Sequence, residues 1–449
     1  MEAVRLGEIA EVVRAELRGD PDSVPTGASV DSRTLRKGEI FFALRGERTD
    51  GHMFVGDALR KGASAAVVGR RWMEENPDVG PLLGVDDPLK ALGKLGAWYR
   101  RRLGVEVVAV TGSNGKTTVK EMTAAVLGAS YNVLKSEGSW NNDIGLPLTL
   151  LTLSGQHDLA VVELGMNAPG EIRRLAEMAK PCVGAITNVG PAHIGAFGSL
   201  EGVARAKGEL LEVLEGTAVL NWDDPWVRRL GRDFAGEVIW FGLGEGADLR
   251  AEDVRLEEGR PSFVVSGVRV RLEVLGRYQV YNALASLAIG SLFGISLFQG
   301  AKVLEKFRPP PLRCEVKDFE GIKLLLDCYN ANPASVKEAL KLLCSLPGRR
   351  IAVLGDMLEL GDEARRFHRE VGAYAARCGI DLLLCTGRWA EDMAAGAGEE
   401  GMEQTEVLDR EGLVRRLREL TRPGDKVLVK ASRRVALEEV VKRAFEQEI

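Results

Sequence analysis

The sequence predicts an α/β protein of three domains, built on mostly parallel sheets covered by helices on both faces. Short, nearly unbroken apolar runs alternate with helical patterns, as in strands buried on both sides. A glycine-rich turn joins one such run directly to an amphipathic helix. A proline break at Pro309-Pro310-Pro311 interrupts the alternation, which then resumes. A chain of 449 residues is long enough for about three domains.

Residues 1–82 carry no nucleotide motif. Turns such as Asp20-Pro21-Asp22 surround short apolar runs at 40–44 and 65–68, which suits a small α/β domain. Pro81 and Asp86-Asp87-Pro88 mark its end, so a second domain is expected over 83–309. There the run 105–110 is apolar apart from Glu106 and leads into the glycine turn. Val119, Met122 and Val126 then share one helical face. Further buried strands are expected at 159–164 and 183–188. After the prolines, strands at 322–326, 351–354, 382–385 and 427–429 predict a Rossmann-like domain over 310–449.

No charged residue occurs from Tyr278 to Ala301, a length that suggests a membrane span. Asn282, Ser286, Gly290 and Gln299 interrupt it, and Gly294-Ile295-Ser296 reads as a helix stop followed by a new N-cap. Two buried helices and no membrane span are therefore expected.

The net charge of −5, without a long Lys/Arg run, gives no sign of a nucleic-acid surface. A phosphate-rich ligand must then be held by local groups. The six cysteines form no CxxC pair, and most lie in apolar runs, which predicts buried free thiols in a reducing compartment. The charged N-terminus lacks the apolar core of a signal peptide, so a cytoplasmic location is expected.

The glycine turn is Thr111-Gly112-Ser113-Asn114-Gly115-Lys116-Thr117-Thr118. Glycines let backbone N–H groups approach phosphate oxygens, Lys116 meets the outer phosphates, and the Thr117 hydroxyl can ligate Mg²⁺. A helix N-terminus contributes only ~0.3–1 kcal/mol, against about −8 kcal/mol for micromolar binding. Lys116, the N–H groups and a metal must supply most of the rest. Val110 stands where the strict phosphate-loop pattern has its first glycine, so this is the shorter TGxxGKT form.

These residues resemble the Mur ligases, the ATP-dependent amide-bond-forming enzymes of peptidoglycan precursor synthesis. The likeness runs through Asp31-Ser32-Arg33, the 41–46 stretch FFALRG, the loop with its following VKEMTA, and Asn141-Asn142-Asp143-Ile144-Gly145. It continues through Glu163-Leu164-Gly165, the 192–199 segment AHIGAFGS, Ala206-Lys207-Gly208-Glu209, Asp327-Cys328-Tyr329-Asn330, and Gly355-Asp356-Met357. The member it most resembles adds D-alanyl-D-alanine to UDP-N-acetylmuramoyl-tripeptide through an acyl phosphate.

That resemblance implies ATP, two Mg²⁺ ions and a monomer. It implies nucleotide contacts from Gly112, Ser113, Asn114, Gly115, Lys116, Thr117, Thr118, Asn282, Arg313 and Asp327. Metal ligands would be Thr117, Glu163, His193 and Lys207, with Lys116, His193 and Lys207 catalytic and Lys207 carbamylated by CO₂. The N-terminal domain would hold the UDP end through Ser32, Arg33 and Gly46. Asn141, Asn142, Tyr329, Asn330, Asp356 and Arg433 would meet the peptide or the incoming amine, with Lys430 and Ser432 in the closing segment of the cleft.

From the residues alone, Lys207 between Arg205 and Glu209 reads as a solvated helix position. Glu163, at the end of an apolar strand, reads as a ligand-facing carboxylate sooner than a solvent-facing one, His193 reads as a core or surface histidine, and Arg313 reads equally as a phosphate-facing cation or as half of a salt bridge. The chain also departs from the family: Tyr278-Gln279 replace a His-Asn pair, Ser139 replaces an asparagine and Ala431 a glycine. The sibling that adds diaminopimelate carries Asp-Asn-Pro-Arg where this chain has Cys385-Thr386-Gly387-Arg388. Folylpolyglutamate synthase lacks the N-terminal domain, and a non-catalytic relative would have no need of Lys116, Glu163 or Lys207.

Overall fold

In the strand Glu106–Thr111, Val107 and Ala109 enter one hydrophobic core while Val108 and Val110 enter another. That alternation makes an unbroken apolar run a strand buried on both faces. The structure, a computed structural model, describes residues 1–2, 4–46, 49–192 and 194–445. Among them the strands form three sheets, of five, nine and six strands.

Glu106–Thr111 lies between Leu159–Glu163 and Val183–Ile186, parallel to both. The chain builds one side of this strand, then crosses to the other. The carboxyl end of Glu106–Thr111 is thus a topological switch point, where open α/β sheets bind ligands. The sheet continues through Thr217–Asn221 and Val238–Gly242 into Leu249–Glu257, Arg260–Val265 and Val268–Arg271, the last three joined antiparallel. This hairpin extension was not expected. Its turns, Glu258-Gly259 and Ser266-Gly267, all have positive φ, the two-residue geometry that matches strand twist.

The first sheet includes Leu82–Val85, which pairs parallel with Ala65–Gly69. A division at residue 82 would cut this strand, so the first sheet reaches residue 85. Helix Pro88–Leu103 follows. Asp87 caps it by accepting from Leu89 N and Lys90 N, an arrangement worth about 1 kcal/mol. Its Tyr99 is fully buried, accepts from Glu2 N at 2.7 Å and donates to Leu153 O at 3.0 Å. One core runs from Ile40 and Phe42 through Leu92 and Leu95 to Val107, so the first two sheets share packing.

The third sheet places Lys426–Lys430 between Ile322–Leu326 and Arg350–Leu354, all parallel. Its strands again send alternate residues to opposite cores: Leu325 and Leu428 to one, Leu324 and Val427 to the other. The uncharged stretch forms two helices, Gln279–Leu292 and Leu297–Glu305, the second opened by a Ser296–Gln299 capping box. No helix among the described residues is long and apolar enough to cross a membrane. Cys314, Cys328 and Cys385 are buried free thiols, whereas Cys182, Cys344 and Cys378 are only half-buried.

Candidate active site

Helix Lys116–Leu127 begins at the switch point, directly after the glycine turn. Gly112 and Gly115 are required there. A Cβ on Gly112 would stand 1.9 Å from Thr187 Oγ1, and one on Gly115 would stand 2.5 Å from Asn282 Oδ1. Gly115 also holds φ at 85°, which costs a residue with a side chain ~1–2 kcal/mol.

The loop is tied to the next strand's exit. Ser113 N donates to Asn188 O at 2.9 Å, Asn114 N to Asn188 Oδ1 at 2.9 Å, and Ser113 Oγ to Gly190 O at 3.1 Å. Thr187 Oγ1 donates to Asn114 O at 2.6 Å. Ser113 and Asn114 therefore spend their amides within the protein. The backbone N–H groups of Gly115, Lys116, Thr117 and Thr118 find no acceptor among the described residues. These donors at a helix N-terminus are what a phosphate takes. Lys116 Nζ folds back onto Gly112 O at 3.0 Å.

Glu163 ends the adjacent strand and is buried. One carboxylate oxygen accepts from Thr117 Oγ1 at 2.6 Å and the other from Asn141 Nδ2 at 2.7 Å. It does not face solvent. Nor does Lys207, which is 3% exposed and whose ammonium nitrogen makes no hydrogen bond among the described residues. The solvated reading of Lys207 fails because helix Leu200–Val213 turns Val203, Ala206, Lys207 and Leu210 inward, at the spacing of one helical face. Burial and the charge of Lys116 depress its ammonium well below the ordinary lysine value, with Glu163 opposing. Lys116 is lowered too, by burial first, with Glu163 opposing and Arg313 adding to the fall.

The C-terminal domain closes the other wall. Asn332 Nδ2 donates to Asn114 Oδ1 at 2.7 Å, across the domain boundary. Arg313 lies over the Tyr329 ring, 3.9 Å from its centroid, and forms no salt bridge among the described residues. The Tyr329 hydroxyl meets Ser139 Oγ, and Lys430 pairs with Asp327 while also donating to Asn330 O at 3.0 Å.

The cleft between these walls is about 530 Å³, within the range of small-molecule sites. Of the residues expected from the sequence, it is lined by Ser113 to Thr118, Asn141, Asn142, Glu163, Lys207, Asn282, Arg313, Asp327, Tyr329, Asn330 and Lys430. Ser32, Arg33 and Gly46 are not in its wall. They lie in the first domain, where Ser32 O accepts from Lys61 Nζ at 2.6 Å and Arg33 pairs with Asp31. Gly46 N donates to Thr49 O at 2.9 Å.

Asp356 and Arg433 are not in the wall either. Asp356 accepts from Arg388 N and Trp389 N at 2.9 and 3.0 Å, and Arg433 pairs with Glu438. His193 lies outside the described residues. Thr187, Asn188, Tyr278 and Gln279 line the cavity without having been singled out as site residues. Gln279 Oε1 accepts from Asn282 Nδ2 at 2.8 Å. For Thr187 and Asn188 the signal was a polar pair closing an apolar strand beside the loop; for Tyr278 and Gln279 it was their place just before Asn282.

A phosphate loop at a switch point, a buried carboxylate, buried cations and a second α/β domain over the cleft define a nucleotide-binding site of the kind that handles phosphoryl groups. Residues 26–99 match the model described as Mur ligase family, catalytic domain. Residues 110–290 match the Mur ligase middle domain, and 312–433 the Mur ligase, glutamate ligase domain. The UDP-N-acetylmuramoyl-tripeptide–D-alanyl-D-alanine ligase of Bacillus subtilis is 38% identical, over 98% of this chain and 97% of its own length. A crystal structure of MurF from Acinetobacter baumannii superposes with a TM-score of 0.90 at 30% identity, covering 99% of each chain. MurF from Thermotoga maritima, solved with ADP, gives 0.84 at 29% identity over 94% of this chain and 97% of its own. The chain belongs to the Mur ligase family.

Proposed function

We propose that this chain joins UDP-N-acetylmuramoyl-tripeptide to D-alanyl-D-alanine at the expense of ATP, giving the UDP-N-acetylmuramoyl-pentapeptide. A substrate carboxylate oxygen attacks the γ-phosphorus and ADP leaves. The amine nitrogen of D-alanyl-D-alanine then attacks the acyl carbon, the C–O bond to phosphate breaks, and the amine loses a proton. The observation carrying this reading is the convergence, in one cavity, of the four unpaired loop N–H groups with Glu163, Lys207, Arg313 and Lys430.

Phosphoryl transfer asks mainly for positioning and charge neutralisation. Lys116 and Arg313 supply cations at the transferred group, while Gly115 to Thr118 hold the phosphate oxygens through their N–H groups. The Thr117 hydroxyl and the Glu163 carboxylate, 2.6 Å apart, are hard oxygen donors suited to Mg²⁺, which keeps several waters and takes phosphate oxygens as ligands. Bound there, the ion would neutralise charge on the transferred phosphate, with His193 and a modified Lys207 completing its surroundings.

Lys207 suits carbamylation because its depressed basicity favours the neutral amine. That nitrogen attacks the carbon of CO₂, an N–C bond forms, and a proton leaves as the carbamate oxygen takes the negative charge. The N-terminal domain holds the UDP end through Ser32, Arg33 and Gly46, the central domain the nucleotide, and the C-terminal domain the amine, with Tyr329, Asn330, Asp356 and Arg433 contributing. The enzyme acts as a cytoplasmic monomer.

Phosphate release tests the reading. Turnover should need both UDP-N-acetylmuramoyl-tripeptide and D-alanyl-D-alanine and should vanish in Lys116→Ala. Turnover with D-glutamate, lysine or diaminopimelate in place of D-alanyl-D-alanine would assign the chain to a sibling reaction.

A further inference from the structure

Lys120 takes no part in the chemistry above, yet it is among the largest fully buried side chains of the protein. An ammonium has three N–H donors, and a buried one must satisfy them. Three acceptors converge on Lys120 Nζ: Ser136 O at 2.6 Å, Gly138 O at 2.7 Å and Glu121 Oε1 at 3.0 Å. Glu121 also pairs with Lys135, and both lysines hold its carboxyl below the usual range against the opposing effect of burial.

The two carbonyls open segment 136–142, which crosses the cavity wall. Ser136 Oγ accepts from Glu163 N at 3.4 Å, Ser139 meets Tyr329 of the C-terminal domain, and Asn141 donates to Glu163. Asn142 Oδ1 accepts from Gly145 N at 2.8 Å, at the start of helix Gly145–Leu150. Asn141 is tightly seated: its carbonyl accepts from Gly165 N at 2.7 Å, and a Cβ on Gly165 would stand 2.6 Å from its side chain. Lys120 lies one turn beyond Lys116 on the helix that starts at the phosphate loop.

The geometry points to Lys120 as a positioning residue, a buried cation that sets segment 136–142 against the phosphate-loop helix and so aims Asn141 at Glu163 and at the acceptor substrate. It acts through Asn141 and Ser139 and touches neither nucleotide nor the reacting atoms. This rests on the proposed reaction for its kinetic consequence, though not for the anchoring itself.

The test compares Lys120→Met and Lys120→Arg with the unaltered enzyme. Lys120→Met should raise KM for UDP-N-acetylmuramoyl-tripeptide ~10-fold or more while affinity for a non-hydrolysable ATP analogue stays within ~2-fold. Lys120→Arg, which keeps the charge but cannot serve three convergent acceptors, should show a smaller rise in KM and carries the test if the Met variant does not fold. Combined with Asn141→Ala, either change should be less than additive, because both act on one contact. Hydrogen exchange in segment 136–142 should quicken in both variants without any substrate. That readout stays valid if the unaltered enzyme proves not to use this substrate. Unchanged exchange, or a parallel loss of nucleotide affinity and acceptor KM, overturns the assignment.

Discussion

Asn332 reaches across a domain boundary to donate its side-chain amide to Asn114 Oδ1 at 2.7 Å. The same side chain caps helix Pro333–Ser345, accepting from Ser335 N at 2.9 Å. One residue thus starts a C-terminal helix and fastens it to the phosphate loop. The two roles can be separated. Serine at 332 can still cap, at a cost of a few tenths of a kcal/mol, but is too short to reach Asn114. Asn332→Ser should leave urea stability within ~0.5 kcal/mol and lower turnover ~5-fold or more. Unchanged turnover would mean that the latch has no part in assembling the cleft.

Gly115 stands where the backbone must take a positive φ and where Asn282 leaves no room for a methyl group. Gly115→Ala should weaken binding of an ATP analogue ~10-fold or more, by strain and displacement of the adjoining N–H groups. Calorimetric titration reads this directly. An undiminished affinity would show that the loop N–H groups do not hold the phosphates.

Glu163 is held at both oxygens, so Glu163→Gln keeps its shape and removes its charge. The amide can still accept from one neighbour, and the fold should persist. Turnover should fall ~10²–10³-fold, the usual scale for losing one electrostatic group from such a site, and the Mg²⁺ concentration for half-maximal rate should rise. A variant that keeps the normal Mg²⁺ dependence would remove Glu163 from the metal's surroundings.

Much of this site was legible from residue order. The run into TGSNGKTT announced strand, turn and helix, because each element needs its own residue types in that sequence. Lys207 was legible in part. Val203, Ala206 and Leu210 place it on the apolar stripe of its helix, but charged neighbours at 205 and 209 masked that periodicity. The Asn332–Asn114 contact left no trace, since it joins residues 218 positions apart and depends on how two separately formed surfaces meet. The hairpins over 249–271 escaped notice because their outward positions are charged and only the turn residues mark them.

Burial of Lys207 makes a prediction in which stability and activity move oppositely. Burial first, and Lys116 second, depress its ammonium well below the ordinary lysine value. Between that depressed value and the ordinary one, the unfolded chain binds more protons than the folded protein, so stability rises with pH across the window. At neutral pH the buried amine therefore costs stability. In CO₂-free buffer, Lys207→Met should stabilise the protein by ~1–3 kcal/mol, and the gain should shrink as pH approaches the ordinary lysine value. Turnover should be lost at every pH. Bicarbonate, by carbamylating the unaltered enzyme, should raise the activity of that enzyme and leave the variant unaffected. Urea unfolding at neutral and alkaline pH reads the stabilities, and phosphate release with and without added bicarbonate reads the turnover. A Met variant less stable than its parent at neutral pH would show that the lysine is fully paired in the folded protein, which would remove the basis for its carbamylation.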